Sequence, residues 1–232
     1  MRYPDEFCAI QLKRKTISEE GYSYSQFDRM KCIFVHIPKC AGVSMCKSLF
    51  GNLGGGHQTA SHYRLAFDYD EYSNYFKFTV VRNPWDRLVS AFKFLKAGGF
   101  NSQDRLWAEK NLAQFHDFES FVLGWVSKEN IWNYYHFRPQ YHYICDCRGR
   151  LDVDFVAYFE TLGEDFKGIV DRLGVSASLE FLNKGASEGA NYTDYYNEIT
   201  KEIVRDVYSR DVELLEYDFD NSLLPPKLNK ER

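Results

Sequence analysis

Alternating stretches of apolar and polar residues divide the chain into predicted strands and helices. The run CIFVHI at 32–37 is short, apolar and rich in β-branched and aromatic residues, which is typical of a buried strand. The segment GVSMCKSLF at 42–50 then predicts a helix that ends before Gly51. The run FKFTVVR at 76–82 predicts a second buried strand. Buried strands followed by helices favour an α/β layer fold with a central, mainly parallel sheet flanked by helices.

The segment after the second strand, NPWDRLVSAFKFLKAGG, has the start and stop features of a helix. Asn83 suits the N-cap, Pro84 suits the first helical position, and Asp86 suits the positively polarised first turn. Gly98 and Gly99 end the helix. Apolar residues at three- and four-residue spacing predict one buried stripe, formed by Trp85, Leu88, Val89, Phe92 and Leu95.

The other segments are less regular. Residues 1–30 are polar and weakly patterned, which predicts a lead-in arm or an irregular cap, and the aromatic-rich residues 100–140 predict helices and loops. YICDCRGRLDVDFVAYFE predicts a strand, a turn around Gly149 and another strand. TLGEDFKGIVDRLG predicts a short helix that Gly174 ends. The last segment, NEITKEIVRDVYSRDVELLEY, predicts one long helix that carries on one side Ile199, Ile203, Val207 and Leu214. The tail after Asn221 is predicted to be frayed.

The length of the chain allows one good core or at most two small ones, and we expect a single domain. Of 232 residues, 44% are hydrophobic and 17% aromatic, which is enough for a core. The net charge of −4 argues against duplex nucleic acid as the main partner. No apolar run approaches the roughly 18 residues that span a bilayer, and the first thirty residues lack a signal-peptide core, so we expect a soluble, cytoplasmic protein. The six cysteines show no paired CxxC spacing, so we expect reduced thiols and no metal site.

The junction between the first strand and its helix has the residues of an anion site. Backbone N–H groups at the start of a helix can surround an anion, and ligands of such sheets lie beyond the carboxyl ends of the strands. Lys39 adds a positive charge, Gly42 permits close approach, and Ser44 adds a hydroxyl donor. The order of residues differs from the nucleotide-triphosphatase motif GxxxxGK[ST]. Taken alone, PK-x-x-G is equally typical of a structural turn.

The second strand-to-helix junction adds a second candidate anion site. Arg82 ends the strand, and Ser90 follows eight residues later, about two helical turns away. Both side chains are suited to a phosphate, although a solvated arginine and a neutral helix serine are the alternative.

The two junctions together resemble the sulfotransferases that use 3′-phosphoadenosine 5′-phosphosulfate (PAPS), in their carbohydrate-sulfotransferase-like branch. The resemblance rests on HIPKCAGVSM followed by FTVVRNPWDRLVSAF, and covers roughly residues 32–219. Further similar segments are GHQTA at 56–60, RPQ at 138–140, VDFVAYFETLGEDF at 153–166 and LNK at 182–184. The resemblance implies a P-loop-like three-layer fold. Animal relatives are typically Golgi membrane proteins, whereas this chain has no anchor and looks like a soluble microbial or viral version, acting in the host cytoplasm if viral.

The resemblance also implies the nucleotide contacts. The 3′-phosphate is expected to bind Arg82 and Ser90. Lys184 lies in a segment that is expected either to close over the nucleotide or to be an ordinary surface loop. In the related enzymes the first loop more often reads Thr-Ala-Gly-Thr-Ser, so Cys40 and Val43 replace two threonines. The 5′-phosphosulfate is expected on Lys39, Cys40, Ala41, Gly42, Val43, Ser44 and Met45.

The expected chemistry is an in-line displacement that needs a base for the acceptor hydroxyl. Related enzymes use a histidine from the segment that GHQTA resembles, which points to His57, with His62 in reserve. Lys39 is the candidate that stabilises the leaving phosphate oxygen. His62, His136 and Arg138 are candidates for the acceptor pocket, although a surface strand with a solvated arginine also explains the last two. His36 is interpreted as a packed core histidine.

Two other classes of function stay open. A nucleotide kinase would share the fold, but its triphosphate loop and magnesium-binding acidic residue are not evident. The second class is a non-catalytic nucleotide-binding protein, which Val43 would indicate if it marks a loop that has lost its function. The acceptor is expected to be a sugar or a small metabolite, because the aromatic-rich segment 107–143 offers stacking surfaces. The protein is expected to be a monomer or a homodimer.

Overall fold

The computed structural model describes residues 4–18, 20–180 and 191–221. Lys184, the LNK segment and the tail after Asn221 lie outside the described residues. The strands are β1 (Cys32–Val35), β2 (Phe76–Val81) and β3 (Phe155–Tyr158). The helices are α1 (Pro4–Lys15), α2 (Ser25–Met30), α3 (Gly42–Phe50), α4 (Ala60–Ala66), α5 (Tyr69–Asn74), α6 (Pro84–Lys96), α7 (Ser102–Asn111), α8 (Phe118–Trp125), α9 (Tyr141–Ile144), α10 (Leu162–Leu173), α11 (Glu198–Val207) and α12 (Ser209–Leu215).

The three strands form a small open parallel sheet in the order β1-β2-β3, flanked by helices. Cys32 pairs with Phe76 in β2, and Phe78 pairs with Phe155 in β3. All six residues of the central strand β2 are buried, including Lys77 and Thr79, as expected for a strand covered on both faces. The prediction of an α/β fold with a parallel sheet is therefore confirmed at this level.

The described residues group into two compact units. Residues 1–81 and 140–183 contain the sheet, and residues 82–139 and 184–226 contain α6–α8 and the last two helices. The expected single domain stays a prediction. No helix of the described residues has the length and apolar character needed to cross a membrane.

In the first unit, the weakly patterned start of the chain is helical rather than an arm or an irregular cap. Ile10, Tyr24 and Phe27 are buried in the core. Arg14 on α1 forms ion pairs of 2.7 Å with both Asp28 and Glu71. Ion pairs and a few large anchors hold this segment, and neither produces an apolar period in the sequence.

In the second unit, helix α6 has the predicted start and the predicted buried stripe. The side chain of Asn83 accepts a hydrogen bond of 3.0 Å from the N–H of Trp85, and Pro84 is the first helical residue. The stripe packs against aromatic residues of the segment 100–140, which is helices and loops as predicted. This unit therefore has its own aromatic core.

Two element predictions are wrong. The expected strand at the start of YICDC is instead the end of the short helix α9. After it, a single antiparallel bridge joins Cys145 to Leu151 around Gly149, and this pairing is too short to form a strand. The expected single long C-terminal helix is two helices with a break at Tyr208, whose hydroxyl donates a 2.7 Å hydrogen bond to the carbonyl of Phe137. The side of these helices that is buried carries Thr200, Val204, Tyr208, Asp211 and Leu215.

Candidate active site

The segment that joins β1 to α3, which we call the Lys39 loop (residues 38–44), has an unusual backbone. Lys39 and Ala41 have φ values of 68° and 56°, in the left-handed region that residues other than glycine seldom adopt. Alternation of left- and right-handed residues turns successive N–H groups toward one side and forms an anion-binding concavity. Strained backbone of this kind is concentrated at functional sites. The loop therefore has the backbone geometry expected of an anion site.

Helix α3 adds the positive end of its dipole to this loop. Its first turn contains no acidic residue that would compete with an anion. The N–H of Met45 donates to the carbonyl of Ala41 at 3.0 Å, so this amide belongs to the hydrogen bonds of the helix. The side chain of Met45 is fully buried. The N–H groups before Met45 form the N-terminal end of the helix, where backbone donors can bind an anion. Lys39 is partly exposed, and Ser44 is 5% exposed.

The two positions that depart from the related loop sequence differ in their surroundings. Cys40 is buried, with Sγ 3.7 Å from the carbonyl of Pro38 and 3.5 Å from Oε1 of Gln140. Val43 is only partly buried. The thiol of Cys40 thus packs inside the first unit.

Gly42 leaves room for a neighbouring ring, and its expected role in the close approach of an anion stays a prediction. A Cβ atom at Gly42 would lie 1.8 Å from Cδ2 and 1.9 Å from Nε2 of His36. His36 follows β1, is 6% exposed and stacks on Phe34 at a ring distance of 5.7 Å. It is a packed histidine, as expected, but it packs directly on the Lys39 loop.

The two candidate bases both lie in the first unit. His57 is partly buried, and its Nδ1 atom lies 3.3 Å from the carbonyl oxygen of His36, at a ring distance of 4.3 Å from the imidazole of His36. His62 lies on α4, with Nε2 3.3 Å from the hydroxyl of Tyr24. Burial raises the pKa of Tyr24 to about 12, so its hydroxyl stays protonated and forms a hydrogen bond with Nε2 of His62. His57 is therefore the candidate beside the Lys39 loop, and His62 has a structural partner.

In the second unit, Arg82 follows β2 and pairs with the first turn of α6. Its Nε and Nη2 atoms donate to the two carboxylate oxygens of Asp86 at 2.7 and 2.8 Å. Ser90 lies one turn further along α6, partly exposed and off the buried stripe. The sequence predicted the arginine and the serine, but it gave no indication of the pairing with Asp86.

His136, a candidate for the acceptor pocket, lies in a buried polar cluster. It is 4% exposed, and its Nε2 atom lies 3.4 Å from Oδ1 of Asp104. The same carboxylate accepts hydrogen bonds from the hydroxyls of Tyr134 at 2.5 Å and Tyr135 at 2.8 Å, and from the N–H of Phe100 at 2.8 Å. This position favours a structural role for His136.

Arg138 lies in a turn rather than in a surface strand, with Nε donating to the carbonyl of Trp132 at 3.3 Å. Most aromatic rings of the segment 107–143 are buried in the core, which reduces the expected stacking surface, and Trp132 is 38% exposed.

Within the described ranges, no group of three or more His, Cys, Asp or Glu side chains is arranged to hold a metal ion. All six cysteines are free thiols.

The comparison with protein families agrees with the geometry of the Lys39 loop. A model of the sulfotransferase family matches residues 23–218. Neither the curated proteins nor the solved structures give a significant match to this chain. Since the family match takes in both strand-to-helix junctions and well over half of the residues, the chain belongs to the sulfotransferase family.

Proposed function

We propose that this protein transfers a sulfuryl group from PAPS to the hydroxyl of a carbohydrate or a small metabolite, on a P-loop-like fold. The observation that carries the proposal is the backbone of the Lys39 loop. Two residues other than glycine, Lys39 and Ala41, hold left-handed conformations between a buried strand and a helix start. This arrangement costs roughly 1–2 kcal/mol per residue, which an anion-binding role explains and a plain turn does not require.

The residues present fit a nucleotide with two separate anionic groups. The N-terminus of α3 and the side chains of Lys39 and Ser44 suit the 5′-phosphosulfate, because the first turn of that helix carries no competing acid. Arg82 and Ser90 are assigned to the 3′-phosphate. The two hydrogen bonds from Arg82 to Asp86 orient its guanidinium in advance, and a guanidinium matches phosphate as well as carboxylate geometry.

In the proposed reaction, His57 accepts the proton of the acceptor hydroxyl as the acceptor oxygen forms its bond to sulfur. The bond between sulfur and the bridging phosphate oxygen breaks, and its electron pair stays on that oxygen. Lys39 and the N–H groups of the loop stabilise the negative charge that develops there. The supporting observation for His57 is its position against His36, which itself packs on the loop.

The test is sulfate transfer from isotopically labelled PAPS to a panel of sugars and hydroxyl-bearing metabolites, read as a labelled sulfate adduct by mass spectrometry. Lys39→Ala is the matched negative control, because it removes a charge from the proposed site. Activity should survive a chelator, since the proposed charge stabilisers are protein groups. Phosphate transfer from ATP that requires added magnesium would instead support a kinase, and nucleotide binding without any transfer would support a non-catalytic protein.

A further inference from the structure

His36 connects the central sheet, the Lys39 loop and His57. Its ring stacks on Phe34 at 5.7 Å with an interplanar angle of 17°, and Phe34 stacks on Phe78 of the neighbouring strand at 5.1 Å. The same ring occupies the space at Gly42 that a Cβ atom would fill, at 1.8 Å. The edge of the His57 ring contacts it at a ring distance of 4.3 Å. All of these residues belong to the first unit.

We propose that His36 is a positioning residue for His57: its carbonyl fixes the proton of the His57 imidazole on Nδ1, and its ring holds the orientation of that imidazole. This inference rests on the proposed function, since it names Nε2 of His57 as the atom that takes the acceptor's proton.

The hydrogen-bond chemistry determines which nitrogen is basic. A carbonyl oxygen can only accept, so at 3.3 Å from the oxygen of His36 the Nδ1 atom of His57 must be the donor. A neutral imidazole carries one proton on its two nitrogens, so Nε2 then holds the lone pair. His62 differs from His57, because its Nε2 atom already forms a hydrogen bond with the hydroxyl of Tyr24 at 3.3 Å.

Packing explains why a ring at position 36 matters in addition to its carbonyl. The stack on Phe34 fixes one face of His36, and Gly42 limits its movement toward the loop. His57 contacts this immobilised ring, and a displacement of about 1 Å in a catalytic group can cost about 100-fold in rate. Loss of the ring should therefore affect the chemical step far more than nucleotide binding.

The first test is the tautomer of His57 in the full-length wild-type protein, read from ¹⁵N–¹H correlation spectra of its imidazoles at about pH 8.5, where imidazoles of ordinary pKa are neutral. His57→Gln assigns the signals. We expect a proton on Nδ1 and none on Nε2. A proton on Nε2 would overturn the proposal, and this measurement needs neither an acceptor nor a variant of His36.

The second test compares His36→Ala, which removes the ring but keeps the carbonyl, with His36→Gln, which keeps more volume should the alanine variant not fold. His116→Ala, at an exposed position, is the matched control. We expect the His57 signals to shift toward a mixture of tautomers in the His36 variants. Affinity for adenosine 3′,5′-bisphosphate should stay at the wild-type value, while turnover falls by about 10- to 100-fold.

The two proposals can fail separately. Unchanged His57 signals and unchanged turnover in both folded His36 variants would overturn the positioning role and leave sulfate transfer intact. A wild-type protein that shows the expected tautomer but transfers no sulfate would overturn the proposed function and leave the structural relation between His36 and His57 in place.

Discussion

Arg82 and Asp86 form a two-bonded ion pair, with 2.7 Å from Nε to Oδ2 and 2.8 Å from Nη2 to Oδ1. The side chains are 14% and 17% exposed, so the pair is held largely out of water. The pair lies at the strand-to-helix junction whose Asn83-Pro84 start places Asp86 in the first turn of α6. Arg82 is thus held in one orientation at the junction to which we assign the 3′-phosphate.

The first prediction is that Arg82→Ala weakens binding of adenosine 3′,5′-bisphosphate by roughly 10- to 150-fold, because a charge-assisted contact is worth about 1.5–3 kcal/mol. Binding of adenosine 5′-phosphate should change little, and the wild type should bind the bisphosphate much more tightly. Calorimetry with both nucleotides measures this. Arg105→Ala makes the same charge change at an exposed position of α7 and serves as the control. Equal affinity of the wild type for the two nucleotides would contradict the assignment.

The second prediction concerns the contact between Gly42 and His36. Gly42→Ala places a Cβ atom 1.8 Å from the His36 ring. Because such overpacking forces side chains or backbone to shift, the free energy of unfolding should fall by about 1–3 kcal/mol. Gly168→Ala is the control, because that glycine lies inside α10 with no atom within 4 Å of a new Cβ. It should raise stability by roughly 0.5–1 kcal/mol. Urea unfolding of both variants decides the matter, and a neutral Gly42→Ala would show that His36 moves aside freely.

Local pattern predicted the elements that local contacts determine. β1, β2 and α6 follow from short apolar runs and from the Asn83-Pro84 helix start. Each begins at the predicted residue, and β1 and β2 end two residues and one residue earlier than predicted. The C-terminal helix is different, because its break at Tyr208 coincides with a hydrogen bond to Phe137, 71 residues away in sequence. Periodicity contains no information about such a partner.

The candidate site shows the same division. The motifs identified Lys39, Arg82 and His57 as residue types suited to the chemistry. The contact between His36 and His57 joins residues 21 apart in sequence and depends on how two loops pack. Sequence reasoning therefore named the residues of the candidate site but not the neighbours that orient them.

The third prediction separates the two candidate bases. A general base contributes typically about 10²–10⁴-fold to the chemical step, so His57→Ala should lower turnover by that order and leave nucleotide affinity unchanged. The wild-type rate should fall on acidification, because a protonated imidazole cannot accept the acceptor's proton, and this dependence should be absent in the variant. Steady-state rates across pH together with calorimetry give both quantities.

His62→Ala is the matched comparison for that prediction. It removes the hydrogen-bond partner of the Tyr24 hydroxyl, so the free energy of unfolding should fall by about 1 kcal/mol while turnover stays near wild type. The reverse pattern, with turnover lost in His62→Ala and kept in His57→Ala, would transfer the role of base to His62.

The last prediction concerns the buried carboxylate of Asp104. Burial alone would raise its pKa, but the neighbouring His136 ring and hydrogen bonds from Tyr134, the N–H of Phe100 and Tyr135 outweigh burial and hold the pKa well below its usual range. An unfolded aspartate titrates near 3.9. Because the folded pKa is lower, this stabilisation is fully present above about pH 5 and is lost as the pH falls through the folded pKa.

Asp104→Asn should therefore lower the free energy of unfolding by about 1–3 kcal/mol at neutral pH, since the amide cannot accept all of these hydrogen bonds. The deficit relative to wild type should shrink by about 1 kcal/mol between pH 5 and pH 3. In this range Asp104 takes up a proton in the unfolded wild-type chain while it stays charged in the folded protein, and the asparagine variant has no such carboxylate. Urea unfolding at the two pH values measures the difference. Glu109→Gln makes the same charge change at an exposed position of the same helix. Its difference from wild type in the free energy of unfolding should change much less between the two pH values. If the deficit of Asp104→Asn stays constant with pH, the carboxylate has the same pKa in the folded and the unfolded protein. Its partners would then not lower its pKa, which contradicts the prediction.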